Sequence, residues 1–287
     1  MKKIQKIVFP VDFTDRSIKG ALHVSTWARK FDAEVIAVHF VDPEDHDALA
    51  PPDNLRFLAA LPVLTEKAMQ DLGFFCERNL ASCKVRQIVR MGEKTIGICA
   101  LIQDEKADLV MIPRDHQPFL ERFVADSFTA KILNECPIPI WTSERLDDDP
   151  SPEIAHILCA VHVEDSVSLD AANERLIQAV RHVASTFGAR VTCLYVGEHG
   201  SGFLRSDSKI AASISERLTK IHHEMEDISE FELESGGIAK SIHRVAVGKA
   251  ANLIMTGRSR PGTISLGVQL HVLAIDHNGP CPILSVL

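Results

Sequence analysis

The sequence predicts two tandem α/β domains, each with a five-stranded parallel sheet that has helices on both faces. Strand-like and helical segments alternate along the 287 residues, and the second half of the chain repeats the order of the first. Alternation of this kind implies right-handed crossovers and a doubly wound sheet. Two cores of about 140 residues each are large enough to form stable domains.

Apolar segments of strand length open both halves of the chain. Residues 6–13 form the first and residues 156–163 the second, and an amphipathic helical pattern follows each of them. These helical patterns lead to two further apolar segments, at residues 34–41 and 190–196. We therefore predict the same strand, helix, strand unit at the start of both domains.

The later segments of the two halves correspond as well. Residues 107–112 match residues 251–256, and Cys136-Pro-Ile matches Cys281-Pro-Ile. Because the matches keep the same order along the chain, they indicate an internal repeat of one domain.

An acidic segment that contains proline separates the two halves. It covers residues 145–153 and is typical of a solvated linker. We predict a first domain at residues 1–146 and a second at residues 153–287. A Pro-rich connection at residues 42–64 is longer than its counterpart, and the sequence leaves open whether it is a lid or only a long loop.

Composition argues against several classes of partner. The 31 Lys and Arg residues and the 39 Asp and Glu residues give a net charge of -8 without a long basic run, so nucleic acid is not an expected partner. The first residues form no apolar stretch of membrane-spanning length, so we expect a cytoplasmic protein without a membrane partner. The seven cysteines include no Cys-x-x-Cys pair and are predicted to be small buried thiols.

No motif indicates catalysis. The chain contains no Gly-x-Ser-x-Gly elbow, no Walker lysine and no His-Glu-x-x-His pair. The adjacent His222 and His223 would point apart on a helix, so they do not have the spacing of a metal pair. We expect neither an enzyme nor a metal site.

The order of these segments resembles the universal stress protein family. The domain of that family opens with a strand that ends in Asp and closes with Cys-Pro-(Val/Ile), which correspond here to Asp12, Cys136 and Cys281. The resemblance spans nearly the whole chain and implies flavodoxin-like (Rossmann-like) domains that pair through their final strands. It therefore implies that the two halves pack as an intramolecular pseudo-dimer with Trp141 buried at the contact. A homodimer of the whole chain is left open.

Nucleotide-binding members of this family carry a loop after the fourth strand that reads Gly-x2-Gly-x9-Gly-(Ser/Thr) and cradles the phosphates of ATP. Aligned on Ser127, the three glycine positions hold Pro113, His116 and Asp126. Proline has no N–H donor, the histidine side chain fills space, and the aspartate charge repels a phosphate. The first-domain loop has therefore lost the glycines that the resemblance associates with ATP.

Part of a first-domain site remains. The family uses the end of the first strand to hold adenine and ribose, and Asp12 could do so here or could equally organise the turn before the next helix. Asp126 and Ser127 are better explained as helix caps. An altered pocket that binds ATP, AMP or a smaller anion would use Pro10, Val11, Asp12, Phe40, Arg114, His116, Ser127 and Phe128.

The second domain departs further from the family pattern. A histidine replaces the acid at the end of its first strand, and the loop that begins at Gly257 fits the glycine motif in neither of two alignments. The arginines of this loop make it the more cationic of the two, which keeps anion binding as an alternative. Such a site would use Val161, His162, Gly257, Arg258, Arg260 and Gly267.

The resemblance and the lost glycines together predict a non-catalytic stress-response protein that acts through its conformation or through an unidentified protein partner. The alternative is a stress regulator that binds ATP or AMP in one altered pocket. An enzyme on this fold, such as a small hydrolase, is a third class that rests on fold analogy alone.

Overall fold

The computed structural model describes residues 3–41, 54–113, 128–143, 146, 152–163, 167–197, 208–227, 229–258, 275 and 279–287. The chain divides into two compact units, Lys2–Cys136 and Pro137–Leu287.

Strands and helices alternate throughout the described part of the first unit. In chain order they are β1 (Lys6–Pro10), α1 (Asp15–Phe31), β2 (Glu34–Val41), α2 (Asn54–Asn79), β3 (Lys84–Met91), α3 (Lys94–Glu105), β4 (Leu109–Pro113) and α4 (Phe128–Glu135). The four strands are parallel and lie in the order β3-β2-β1-β4. The carboxyl ends of β1 and β4, which are adjacent in the sheet, therefore meet at one edge.

The first helix shows why these residues form a layered structure. α1 begins after Thr14 and ends at Asp32, whose left-handed backbone (φ 52°) lets its N–H reach the carbonyls of the last turn. The buried face of α1 includes Trp27, which stacks on Phe31 at a centroid distance of 5.6 Å. This apolar face covers the sheet, where Ile7, Val8 and Phe9 of β1 are also buried.

The second unit repeats the same order after one additional strand. Its elements are β5 (Ile140–Ser143), β6 (His156–Val161), α5 (Val167–Phe187), β7 (Arg190–Gly197), α6 (Ser208–Met225), β8 (Ser229–Ser235), α7 (Ile238–Gly248), β9 (Leu253–Gly257) and β10 (Ile283–Val286). Strands β6 to β10 are parallel and lie in the order β8-β7-β6-β9-β10. This is the five-stranded, doubly wound sheet that the sequence predicts.

The final strands of the two sequence repeats pair with each other inside the second unit. β5 is antiparallel to β10, with Trp141 opposite Leu284 and Ile140 opposite Ser285. Trp141 is 1% exposed. Pairing through the final strands is thus observed, whereas the packing of complete domains as a pseudo-dimer stays a prediction.

The compact units and the predicted domains differ in where they divide the chain. The units divide after Cys136 because β5 pairs with β10, whereas the predicted limits at residues 146 and 153 follow the sequence repeat. Those limits stay a prediction.

The predicted connection at residues 42–64 is shorter than the sequence indicates. Its second half, from Asn54, belongs to α2, which continues to Asn79 with Pro62 inside the helix. The interpretation of residues 54–64 as a loop was wrong, because the proline there does not end the helix. Residues 42–53 lie outside the described part, so the question of a lid stays open.

Among the described residues, no helix combines the length and the hydropathy needed to cross a membrane.

Candidate functional site

The chain beyond β1 stays attached to the end of β2. The Val11 N–H donates to the Val38 carbonyl (2.8 Å), and the Val11 carbonyl accepts from Nδ1 of His39 (2.8 Å). Val11 is buried and Pro10 half-buried. These bonds hold the next residue, Asp12, at the carboxyl edge of the sheet, where open α/β sheets bind their ligands.

The Asp12 carboxylate is engaged by the start of α1. Its Oδ1 accepts from the Thr14 N–H (3.1 Å), the Thr14 hydroxyl (2.6 Å) and the Ser17 hydroxyl (2.5 Å), and its Oδ2 lies 2.9 Å from Nη2 of Arg16. The Asp12 N–H in turn donates to Ser17 Oγ (3.1 Å). Asp12 therefore closes an Asx turn at the entry to α1.

The environment of Asp12 keeps it ionised. Burial raises the pKa of Asp12, but the hydrogen bonds from Ser17 and Thr14 and the charge of Arg16 outweigh this effect, so the pKa lies below its usual value. The side chain is 32% exposed, so water screens the pair with Arg16. The edge of the first unit thus carries a negative charge that is already neutralised by its own helix.

Phe13 occupies the space beside this turn, and the sequence analysis did not single it out. Its ring lies over the imidazole of His39 (centroids 4.4 Å apart) and meets Phe75 edge-on at 6.3 Å. The backbone of Phe13 has φ 61°, which is uncommon for an aromatic residue. No sequence pattern reports a positive φ at a phenylalanine, so only the structure reveals that this ring covers the end of β2.

Phe40 is packed inside the first unit. It is 4% exposed, and its ring lies so close to α3 that a Cβ at Gly97 would come within 2.1 Å of a ring carbon. The ring therefore packs between β2 and α3, with little surface to present to a base.

The predicted site also includes the ends of β4 and the start of α4. Pro113, which stands at the first lost glycine, packs against α1 so closely that a Cβ at Gly20 would lie 2.8 Å from its Cγ. Phe128 begins α4 and is half-buried, with Nζ of Lys94 5.8 Å from its ring centroid. Arg114, His116 and Ser127 lie outside the described residues.

In the second unit, α5 holds the turn after β6. The His162 carbonyl accepts a hydrogen bond from Nδ2 of Asn173 (2.8 Å), a buried residue of α5. Val161 is buried and His162 half-buried. Asn173 thus performs the anchoring that Ser17 performs in the first unit.

Gly257 and Arg258, at the start of the second-unit loop, differ in their surroundings. Among the described residues, no atom lies within 4 Å of the position that a Cβ at Gly257 would take. Arg258, in contrast, is 2% exposed: its N–H donates to the Val286 carbonyl (2.6 Å) and its Nη2 to the Ile138 carbonyl (2.6 Å). The guanidinium is directed toward the start of β5, and Arg260 and Gly267 lie outside the described residues.

Possible metal ligands and nucleophiles were compared with the side-chain positions in the described part of the chain. No group of three His, Cys, Asp or Glu side chains there is arranged to hold a metal ion. The Thr192 hydroxyl lies 2.9 Å from Nε2 of His156, but both side chains are buried beneath the sheet's covering layers and a substrate has no access to them.

About half of the chain is similar in sequence to universal stress proteins. The sequence model of the Universal stress protein family matches residues 3–143. A universal stress protein of Methanocaldococcus jannaschii is 26% identical over 144 residues, which cover 49% of this chain and 82% of the relative.

Two solved structures resemble the whole chain. A universal stress protein from Archaeoglobus fulgidus DSM 4304 superposes with a TM-score of 0.72 at 14% identity and covers 100% of this chain and 99% of its own. A functionally unknown protein from Pseudomonas aeruginosa PAO1 superposes with a TM-score of 0.65 at 17% identity and covers 99% and 92%. At these identities the likeness shows the fold.

Proposed function

We propose that this chain is a non-catalytic stress-response protein of the universal stress protein family, whose sequence model matches residues 3–143. It acts through its conformation or through a protein partner, and ATP binding is weak or absent in both domains. The observation behind this proposal is that the two charged site residues which the structure describes, Asp12 and Arg258, already bind partners within the chain.

Asp12 is the main support. The resemblance assigns the end of the first strand to adenine and ribose, yet Oδ1 of Asp12 already accepts three hydrogen bonds and Oδ2 faces Arg16. A carboxylate offers about four lone-pair sites, so a ribose hydroxyl would have to displace a partner from the turn. That displacement would loosen the entry to α1 as well as the contact with the ligand.

The second domain supports the same conclusion through Arg258. An arginine that binds phosphate must present its guanidinium to the ligand. Here the side chain is buried and donates to the Ile138 carbonyl, so it serves the packing of the second unit.

The alternative function is binding of ATP or AMP in one altered first-domain pocket. Lys94 favours it, because its ammonium lies near Phe128 at the start of α4, where a helix N-terminus and a cation together attract an anion. The pocket would use the ionised Asp12 and Phe128, with Arg114, His116 and Ser127 from the loop.

Calorimetric titration with ATP and AMP, alongside a universal stress protein that retains all three loop glycines, separates the two functions. We expect no saturable heat from this chain and no rise in its melting temperature, while the control protein responds. Saturable micromolar binding would overturn the proposal.

The variant Asp12→Ala makes the test specific to the pocket. If a nucleotide does bind the first domain, ligand at 100 times its Kd should stabilise the wild type by about 2.7 kcal/mol and should not stabilise the variant. Stabilisation that survives in Asp12→Ala would place the ligand outside this pocket.

A further inference from the structure

Two cysteine thiols lie close together in the first unit, and neither belongs to the candidate nucleotide site. Cys99 lies in the middle of α3 and Cys136 directly after α4, and these two helices pack against each other. The two Sγ atoms are 3.0 Å apart although 37 positions separate the residues in sequence. A disulfide bond measures about 2.05 Å, so the sulfurs need to approach by only about 1 Å.

We propose that Cys99 and Cys136 form a reversible redox pair, which hydrogen peroxide oxidises to a disulfide. The Cys99 thiolate attacks the peroxide, the O–O bond breaks, and a sulfenic acid forms as hydroxide leaves. The Cys136 sulfur then attacks the Cys99 sulfur, the S–O bond breaks, and water leaves with the thiol proton. Two thiols lose two electrons and the peroxide is reduced to water.

The two cysteines have the complementary exposures that this sequence of steps requires. Cys99 is half-buried and within reach of a small oxidant, whereas Cys136 is fully buried and positioned to resolve the sulfenic acid. The hydrogen bond from Cys136 also lowers the pKa of the Cys99 thiol, which favours the reactive thiolate.

Four of the other five cysteines differ from this pair in burial, pKa or contacts. Cys159 and Cys193 are register neighbours on β6 and β7, but both are fully buried, and the contact with Cys193 together with burial raises the pKa of Cys159. Burial raises the pKa of Cys76 to about 11. Cys83 is half-buried like Cys99, but the side-chain contact of its sulfur is the hydroxyl of Ser82.

The test is thiol counting on the full-length protein without added nucleotide. After treatment with hydrogen peroxide and removal of the oxidant, the protein is denatured, its thiols are alkylated, and its peptides are mapped without reduction. We expect two of the seven thiols to be lost, a linked peptide that joins Cys99 to Cys136, and recovery of both thiols with dithiothreitol.

Cys99→Ser should abolish the linked peptide. Cys83 is half-buried like Cys99, so Cys83→Ser is the matched control and should leave the linked peptide unchanged. Because Cys136 is fully buried, Cys99→Ser is the primary variant, and its melting curve checks that it folds. Seven alkylated thiols after oxidation, or links that form mainly through Cys83 or between two copies of the chain, would overturn the proposal.

Discussion

At the scale of single residues, the helical glycines Gly97 and Gly73 differ in how closely other side chains approach them. Gly97 in α3 is required by contact, because the Phe40 ring occupies the place of its side chain. Gly73 in α2 has one neighbour near its missing Cβ, Oε1 of Gln87 at 3.6 Å, which is an ordinary contact distance. Both glycines reduce helix propensity, but only Gly97 is compensated by packing.

The variant Gly97→Ala should therefore lower the free energy of unfolding by about 1–3 kcal/mol, since its methyl group overpacks the contact with Phe40. The matched variant Gly73→Ala should raise it by about 0.5–1 kcal/mol through helix propensity. Urea denaturation of both variants measures the difference. Equal effects of the two substitutions would mean that Phe40 does not pack against α3.

The buried His156 makes the stability of the protein depend on pH. Its Nδ1–H donates to the Lys249 carbonyl (2.9 Å) and its Nε2 accepts from the Thr192 hydroxyl (2.9 Å), which suits a neutral imidazole. Burial lowers the pKa of His156 below its usual value. Below about pH 6.5 the unfolded chain binds a proton that the folded chain resists, so stability is complete above this pH and is lost as the pH falls toward the folded pKa.

We expect the free energy of unfolding to fall between pH 7 and pH 5, with a contribution from His156 of at most about 1.4 kcal/mol per pH unit. His156→Asn should be less stable than the wild type at pH 7.5 but should lose less on acidification. Parallel slopes for His156→Asn and the wild type would contradict the assignment.

At the scale of elements, the sequence located strands well but did not show where the Arg258 side chain lies. The second strand was predicted at its observed limits, Glu34–Val41, because a buried parallel strand is apolar on both faces and charged or polar residues flank it. Arg258 could not be placed in the same way. Its hydrogen-bond partner, the Ile138 carbonyl, lies 120 positions away in the sequence. The neighbouring residues alone therefore predict an exposed cationic loop.

Outer strands of the two sheets are charged, and their charges are paired locally. Glu232 of β8 lies 2.6 Å from Lys249, which follows α7, and Glu234 of β8 lies 2.5 Å from Arg244 of α7, which lowers the pKa of Glu234. On β3, Arg86 forms two hydrogen bonds with Glu105 and lowers the pKa of Glu105 to about 2. Charged side chains of this kind protect a sheet edge from pairing with another chain.

Buried and exposed arginines of the second unit should respond differently to the same substitution. Arg258→Met removes a buried hydrogen bond to a carbonyl and should lower the free energy of unfolding by about 1–3 kcal/mol. Arg244→Met removes an exposed ion pair that water screens, so it should lower the free energy of unfolding much less than Arg258→Met does. Chemical denaturation compares the two variants, and an Arg258→Met protein as stable as Arg244→Met would show that the buried arginine does not hold β5.

At the scale of the whole molecule, the strand that closes the first repeat belongs to the second unit. β5 lies at residues 140–143, inside the predicted first domain, yet it pairs with β10 at the other end of the chain. β10 is apolar and buried, with Ile283, Leu284 and Val286 among its four residues. Removal of β5 would leave one edge of β10 bare, which is an unfavourable state for an apolar strand.

Separate fragments test this role of β5. The fragment 1–146, which contains β5, should bind the fragment 153–287, whereas the fragment 1–136 should bind it at least tenfold more weakly, a difference of about 1.4 kcal/mol. The two first-repeat fragments differ only in the ten residues 137–146, so the comparison isolates the contribution of the segment that contains β5 and the Ile138 carbonyl. Burial of Trp141 opposite Leu284 provides a fluorescence signal, and analytical ultracentrifugation measures the complex directly. Equal affinities, or stable monomers with no affinity in either mixture, would refute the association through final strands, because the segment that contains β5 is all that distinguishes the two fragments.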